Sequence, residues 1–175
     1  MAYTDTMGYV VSTTSSEALA AYEQGVSLWL RQRSGAVEAL DHAVAVDRHF
    51  PLAHCTRAYV AWRAGKVEVA LDAHQQALAR ADDAHDERER LHLHTVEAMR
   101  CCDGAAALHH LEQLAEQYPT DRMAMRLLSF NYLARGDYQR GVMQARRSLN
   151  ACPDDPQFLT MLVLLQHGSL RPRWA

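Results

Sequence analysis

The chain has 175 residues, 49% of them hydrophobic and 22% charged, which suits a packed core in one domain or one short repeat array. Its 18 Lys and Arg against 21 Asp and Glu give a formal net charge of -3, arguing against the basic face that nucleic-acid binding needs. The longest apolar run, Phe158 to Leu165, is too short to span a bilayer.

The opening residues lack the charged and apolar regions of a secretory leader. Cys55, Cys101, Cys102 and Cys152 form no C-x-x-C pair and no disulfide framework. A cytoplasmic protein with reduced thiols is therefore expected, and the excess of Ala and Arg over Lys suits a GC-rich bacterial genome. No cofactor and no metal site is expected.

In chain order, residues 1–14 read as an irregular arm, 15–169 as a helical repeat domain and 170–175 as a tail. Thr14 with Glu17 fits a capping box at the first helix, and Asp86 with Glu89 fits another further on. Ala, Leu, Glu, Gln and Arg dominate between the breaks, with apolar residues three and four apart. The breaks fall at 33–36, 48–51, 64–66, 82–86, 102–105, 118–121, 135–137 and 152–156. They delimit about nine helices, joined by loops of the length found between antiparallel neighbours. No stretch alternates with period two for long enough to suggest a strand.

A fixed period underlies the helix pairs. Pro119 and Pro153 stand 34 residues apart. With each proline at position 32 of a 34-residue unit, position 8 holds Thr95 and Ser129, and in the earlier units, set three residues further back, it holds Ala58. Position 20 holds Ala36, Ala70, Ala107 and Gly141, and position 27 holds Ala43, Ala77, Leu114 and Ser148. Small residues at these places, from which Leu114 departs, let two antiparallel helices approach closely. This register resembles the tetratricopeptide repeat family. The resemblance implies an all-α fold of antiparallel helix pairs, stacked as a short right-handed superhelix of about four repeats plus a terminal helix. The stretches 11–30, 39–58, 86–99 and 115–137 further resemble the amino-terminal half of the tetratricopeptide repeat protein 38-like family, which offers no defined catalytic residues to carry over.

The stretch from Leu91 to His110 holds four histidines and two adjacent cysteines, which raises a metal or redox site. In the family register His92 falls at position 5, His94 at 7, His109 and His110 at 22 and 23, and the cysteines at the loop end. Such dispersed side chains do not converge on one ion. His54, His74 and His94 all fall on core-facing positions and read as interior histidines, whose charging would make stability pH-sensitive.

First-helix positions 2, 5, 9, 12 and 13 line the concave groove in this family. The resemblance places Cys55, Tyr59, Trp62 and Arg63 there, then His92, Val96, Met99 and Arg100, then Arg126, Phe130 and Leu133, with Tyr22 and Trp29 extending the wall. Aromatics and Arg are the residue types enriched at binding hot spots. The Lys and Asn carboxylate clamp of some family members is missing, since Cys55, Tyr59, His92, Val96, Arg126 and Phe130 occupy its positions. The arm covering these aromatics is the alternative outcome. The last helix is apolar nearly all round, and Phe158, Leu162 and Leu165 are expected to mediate self-association as a homodimer.

The expectation is a non-enzymatic scaffold that binds a protein or peptide partner through Tyr59, Trp62, Arg63, His92, Met99, Arg100, Arg126 and Phe130, or through its apolar terminal helix. The competing expectation is a small-molecule-binding protein or an enzyme accessory to a bacterial biosynthetic pathway, with His92 as its acid or base.

Overall fold

A computed structural model describes residues 3–169. Among them are nine helices: α1 Ser16–Leu30, α2 Ala36–Val46, α3 Pro51–Arg63, α4 Val67–Leu78, α5 Glu87–Arg100, α6 Gly104–Gln117, α7 Arg122–Arg135, α8 Tyr138–Ala151 and α9 Pro156–Ser169. Each expected break lies between two of them. The fold is all-α and repeat-like, with consecutive helices packed on one another.

Local chemistry sets the helix starts. The Ser15 hydroxyl caps α1 by accepting the Ala18 N–H. Thr14, expected as the cap, lies one residue too early, and Glu17 turns outward to His42 at 3.2 Å. Asp86 caps α5 and Asp121 caps α7. Pro51 opens α3, where its missing N–H costs nothing.

The chain divides into two compact units, Met1–His110 and Leu111–Ala175. In the first, α1 packs on α2, α2 on α3, α3 on α4, and α5 on both α3 and α4. The small register positions Ala43, Ala58, Ala70, Ala77 and Thr95 are all buried there. Gly25 marks the closest approach: a Cβ on it would stand 2.6 Å from Leu40 Cγ. Leu40, Phe50, Leu52 and Tyr59 are fully buried, each contributing roughly 1.5–3 kcal/mol through the area it removes from water. Tyr22 lies against Phe50, ring centroids 5.2 Å apart.

In the second unit α7 packs on α8, and α9 packs on both. Phe158, Met161 and Leu165 lie on one stripe of α9 and are fully buried. A Cβ on Gly141 would meet Leu165 at 2.5 Å, so glycine lets α8 and α9 close together.

Two features differ from the sequence reading. The arm is ordered: β1 (Tyr3–Thr4) pairs antiparallel with β2 (Val10–Val11), Tyr3 opposite Val11. Strands of two residues are too short to show any alternation. His54 and His74 are buried, but His94 is exposed. It shares the solvent stripe of α5 with Glu87 and Arg90, and its ring lies 5.3 Å from that of His110. The tail expected at 170–175 lies outside the described residues.

Candidate partner-binding face

Helices α3 and α5 are buried far beyond the one-sided pattern of a surface helix. On α3 only Arg57, Trp62 and Arg63 escape full burial. On α5 the buried set runs through Arg88, Glu89, Leu91, His92, Leu93, Thr95, Val96 and Ala98. A buried Arg and Glu in a first turn require charged or hydrogen-bonding partners, because desolvating either ion alone is costly.

The arm supplies them. Asp5 builds its turn: one carboxylate oxygen accepts the N–H groups of Met7 (2.9 Å) and Tyr9 (3.0 Å). The Asp5 N–H donates to the Tyr9 carbonyl, and the Gly8 N–H donates to the Asp5 carbonyl, both at 2.9 Å. Gly8 sits at φ +82°, where a side chain would be strained. The other Asp5 oxygen accepts from Arg88 Nη2 at 2.7 Å, and the paired side chains are only 6% and 3% exposed. The Arg88 guanidinium also lies 4.8 Å from the Tyr9 ring centroid, a cation–π contact. Beyond the turn, the Ser12 N–H donates to Glu89 Oε1 at 2.9 Å, and the Thr13 hydroxyl donates to Asp47 at 2.5 Å. The Thr6 N–H donates to Glu23, and the His85 N–H donates to the Ser12 hydroxyl.

Glu89 does not reach back to its own helix cap. It turns to the arm, and burial pushes its carboxyl above the usual carboxylate range against the opposing Ser12 and Arg88 interactions. Its Oε2 is buried without a hydrogen-bond partner among the described residues. Burial also drives the Cys55 thiol well above its ordinary value, with the Glu89 charge adding to the rise. Such a thiol is a packing group, not a nucleophile.

The expected groove residues separate by depth. Tyr59 and His92 are fully buried and lie together: the Tyr59 hydroxyl donates to the His92 carbonyl at 2.9 Å. His92 therefore presents no ring to solvent as an acid or base. Met99 is half-buried, and Arg100 is exposed and paired with Glu97 at 2.6 Å. Trp62 is 49% exposed at the C-terminal end of α3. Beside it, Arg63 joins Trp29, Arg33, Val37, Val60 and Lys66 around a partly open cleft of about 320 Å³.

In the second unit, Arg126 is buried, with its guanidinium 4.8 Å from the Phe130 ring centroid. Phe158 and Leu165, expected at a self-association surface, are instead the inward stripe of α9, and Leu162 is half-buried. Its outward apolar residues are Leu159, Val163 and Leu164. The helical period decides this, since Phe158, Met161 and Leu165 share the side packed on α7 and α8.

Sequence reasoning missed Asp5, Tyr9, Ser12 and Arg88, and gave Glu89 only a capping-box role at its own helix. Two signals were present. Asp-x-x-Gly is a turn sequence, and Glu89 falls at position 2 of the expected register, one of the positions that the family resemblance assigns to a groove. Among the described residues no group of three or more His, Cys, Asp or Glu side chains is arranged to hold a metal ion. No described helix is long and apolar enough to cross a membrane. No protein-family model and no curated protein matches the chain.

Proposed function

We propose that this chain is a non-enzymatic, tetratricopeptide-like scaffold that binds a protein or peptide partner through the face built by α3 and α5. One observation carries the reading: the first turn of α5, at one end of that face, already holds a polypeptide segment, gripped by an ion pair, a ring contact and a backbone hydrogen bond. A surface that recognises a segment of its own chain has the chemistry to recognise a segment of another. Trp62 and Arg63 at the C-terminal end of α3 are exposed and add uncovered apolar and cationic area to the same helix pair. His92 lends no support to an enzyme, since its ring is fully buried.

The test is selection of peptides from a displayed random library on the full chain. Selected peptides should bind with micromolar affinity and lose at least about tenfold on Trp62→Ala, the scale of a hot-spot truncation. Failure to select any peptide contradicts the proposal.

A small-molecule reading has its own support in the cleft beside Trp29, where Lys66 is paired with Glu38 at 2.9 Å and Arg33 and Arg63 add cationic groups suited to an anionic, planar ligand. Saturable quenching of tryptophan fluorescence by aromatic carboxylates, lost on Arg63→Ala, would favour it over the scaffold.

A further inference from the structure

We infer that the arm is a displaceable occupant of the Arg88–Glu89 site, and that the partner bound there carries the same element: an Asp-x-x-Gly-aromatic turn. This rests on the reading of the α3–α5 face as a partner-binding surface and names the chemistry of that partner.

Three observations support it. First, the arm is held by polar contacts. Among its described residues only Val11 is a buried apolar side chain, while Asp5, Thr6, Ser12 and Thr13 all hydrogen-bond to the helical body. Surfaces that open and close are polar in this way, whereas permanent ones resemble a bisected core. Second, the contact is specific in shape. One guanidinium meets the Asp5 carboxylate and the Tyr9 ring, which the Gly8 turn brings together. A fork of donors and a flat cationic face suit that combination, and a lysine would satisfy only the charge. Third, the fit is incomplete. Glu89 Oε2 stays buried without a donor while the arm is in place. A segment that brings one more N–H to this oxygen binds better than the arm does, because an unmet buried acceptor is a standing cost. The arm joins α1 directly through Ser12–Ser15, so its effective concentration at the site is on the order of millimolar. An external segment must outcompete that.

The experiment uses the full chain and a fluorescein-labelled peptide of residues 3–13, read by anisotropy. The wild-type chain should bind the peptide weakly. The Asp5→Asn chain, whose own arm has lost its charge anchor, should bind it at least about tenfold more tightly. Adding Arg88→Ala to that chain, or Asp5→Asn to the peptide, should remove the gain. If Asp5→Asn does not fold by circular dichroism, Tyr9→Ala loosens the arm with the ion pair intact and should show the same gain in smaller degree. Equal, weak binding by the wild-type and loosened chains overturns the inference, as does concentration-dependent dimerisation of the wild type that Asp5→Asn abolishes, which makes a second copy the occupant. If library-selected peptides still bind at Trp62 in that case, the scaffold reading stands without this partner. If nothing binds to any of these chains, both fail.

Discussion

Arg88 and Arg63 sit on the helices that build one face of the first unit, and their surroundings differ completely. Arg88 is sealed, paired with Asp5 and stacked on Tyr9. Arg63 is exposed at the edge of a cleft. Neither fate follows from the helix that carries it. Arg88 is buried because a segment about eighty residues earlier folds over it. A repeat register therefore indicates which side chains line a face, while the occupant of the face decides which of them water reaches.

That contrast is open to attack by mutation. The largest effect is expected at Arg88. Arg88→Ala leaves the Asp5 carboxylate buried without its partner, which costs about 3–5 kcal/mol when a buried pair is broken on one side. A urea unfolding curve checks this, and a loss under about 1 kcal/mol would mean that the sealed end is wet. Next comes Gly25→Ala. Its new methyl meets Leu40 at 2.6 Å in a packed core, and overpacking of this kind costs about 1–3 kcal/mol. If the variant is as stable as the wild type, α1 and α2 are not close-packed at Gly25.

Acidification should weaken the first unit through its buried histidines. Burial lowers His54 to about 4 and lowers His74 as well. Both are neutral when folded and charge near their ordinary value when unfolded, so the unfolded state binds more protons in that range. Their contribution is present above about pH 6.5 and is lost as pH falls through their lowered folded values, about 4 for His54. Glu89 acts in the opposite direction: its raised pKa makes protonation favour the folded state as pH falls. Urea midpoints measured from pH 7 down to pH 4.5 should therefore decline, and more steeply in Glu89→Gln than in the wild type. A flat profile contradicts the histidine account. The smallest effect belongs to the open end, where Trp62→Ala and Arg63→Ala should each change stability by less than about 0.5 kcal/mol, as exposed sites do. A larger loss would show that the open end supports the fold.

The helices were legible in the sequence because each break carries its own chemistry. Pro51 opens a helix, Gly136 at φ +71° ends one, and Asp86, Asp121 and Asp137 cap three more. The small residues at Ala58, Ala70 and Ala77 were legible as points of close approach for the same local reason. The site was not. Whether Tyr59 and His92 face solvent or protein depends on what packs over α3 and α5, and no periodicity within those helices encodes it. The same limit applied to α9. An all-round apolar helix does not reveal its inward side, and Phe158 and Leu165 proved to be that side, with Leu159, Val163 and Leu164 facing out. The arm escaped because two-residue strands leave no pattern, although its Asp-x-x-Gly turn did.

Amide hydrogen exchange on the unmodified full chain tests the central claim most directly, because it asks whether the arm opens while the helices beneath stay closed. The Met7 and Tyr9 amides, held by the Asp5 carboxylate, should exchange at least about a hundredfold faster than the amides of α3, through an opening smaller than global unfolding. If they exchange only together with α3, the arm is a permanent part of the core, and the face beneath it is not a site that a partner can reach.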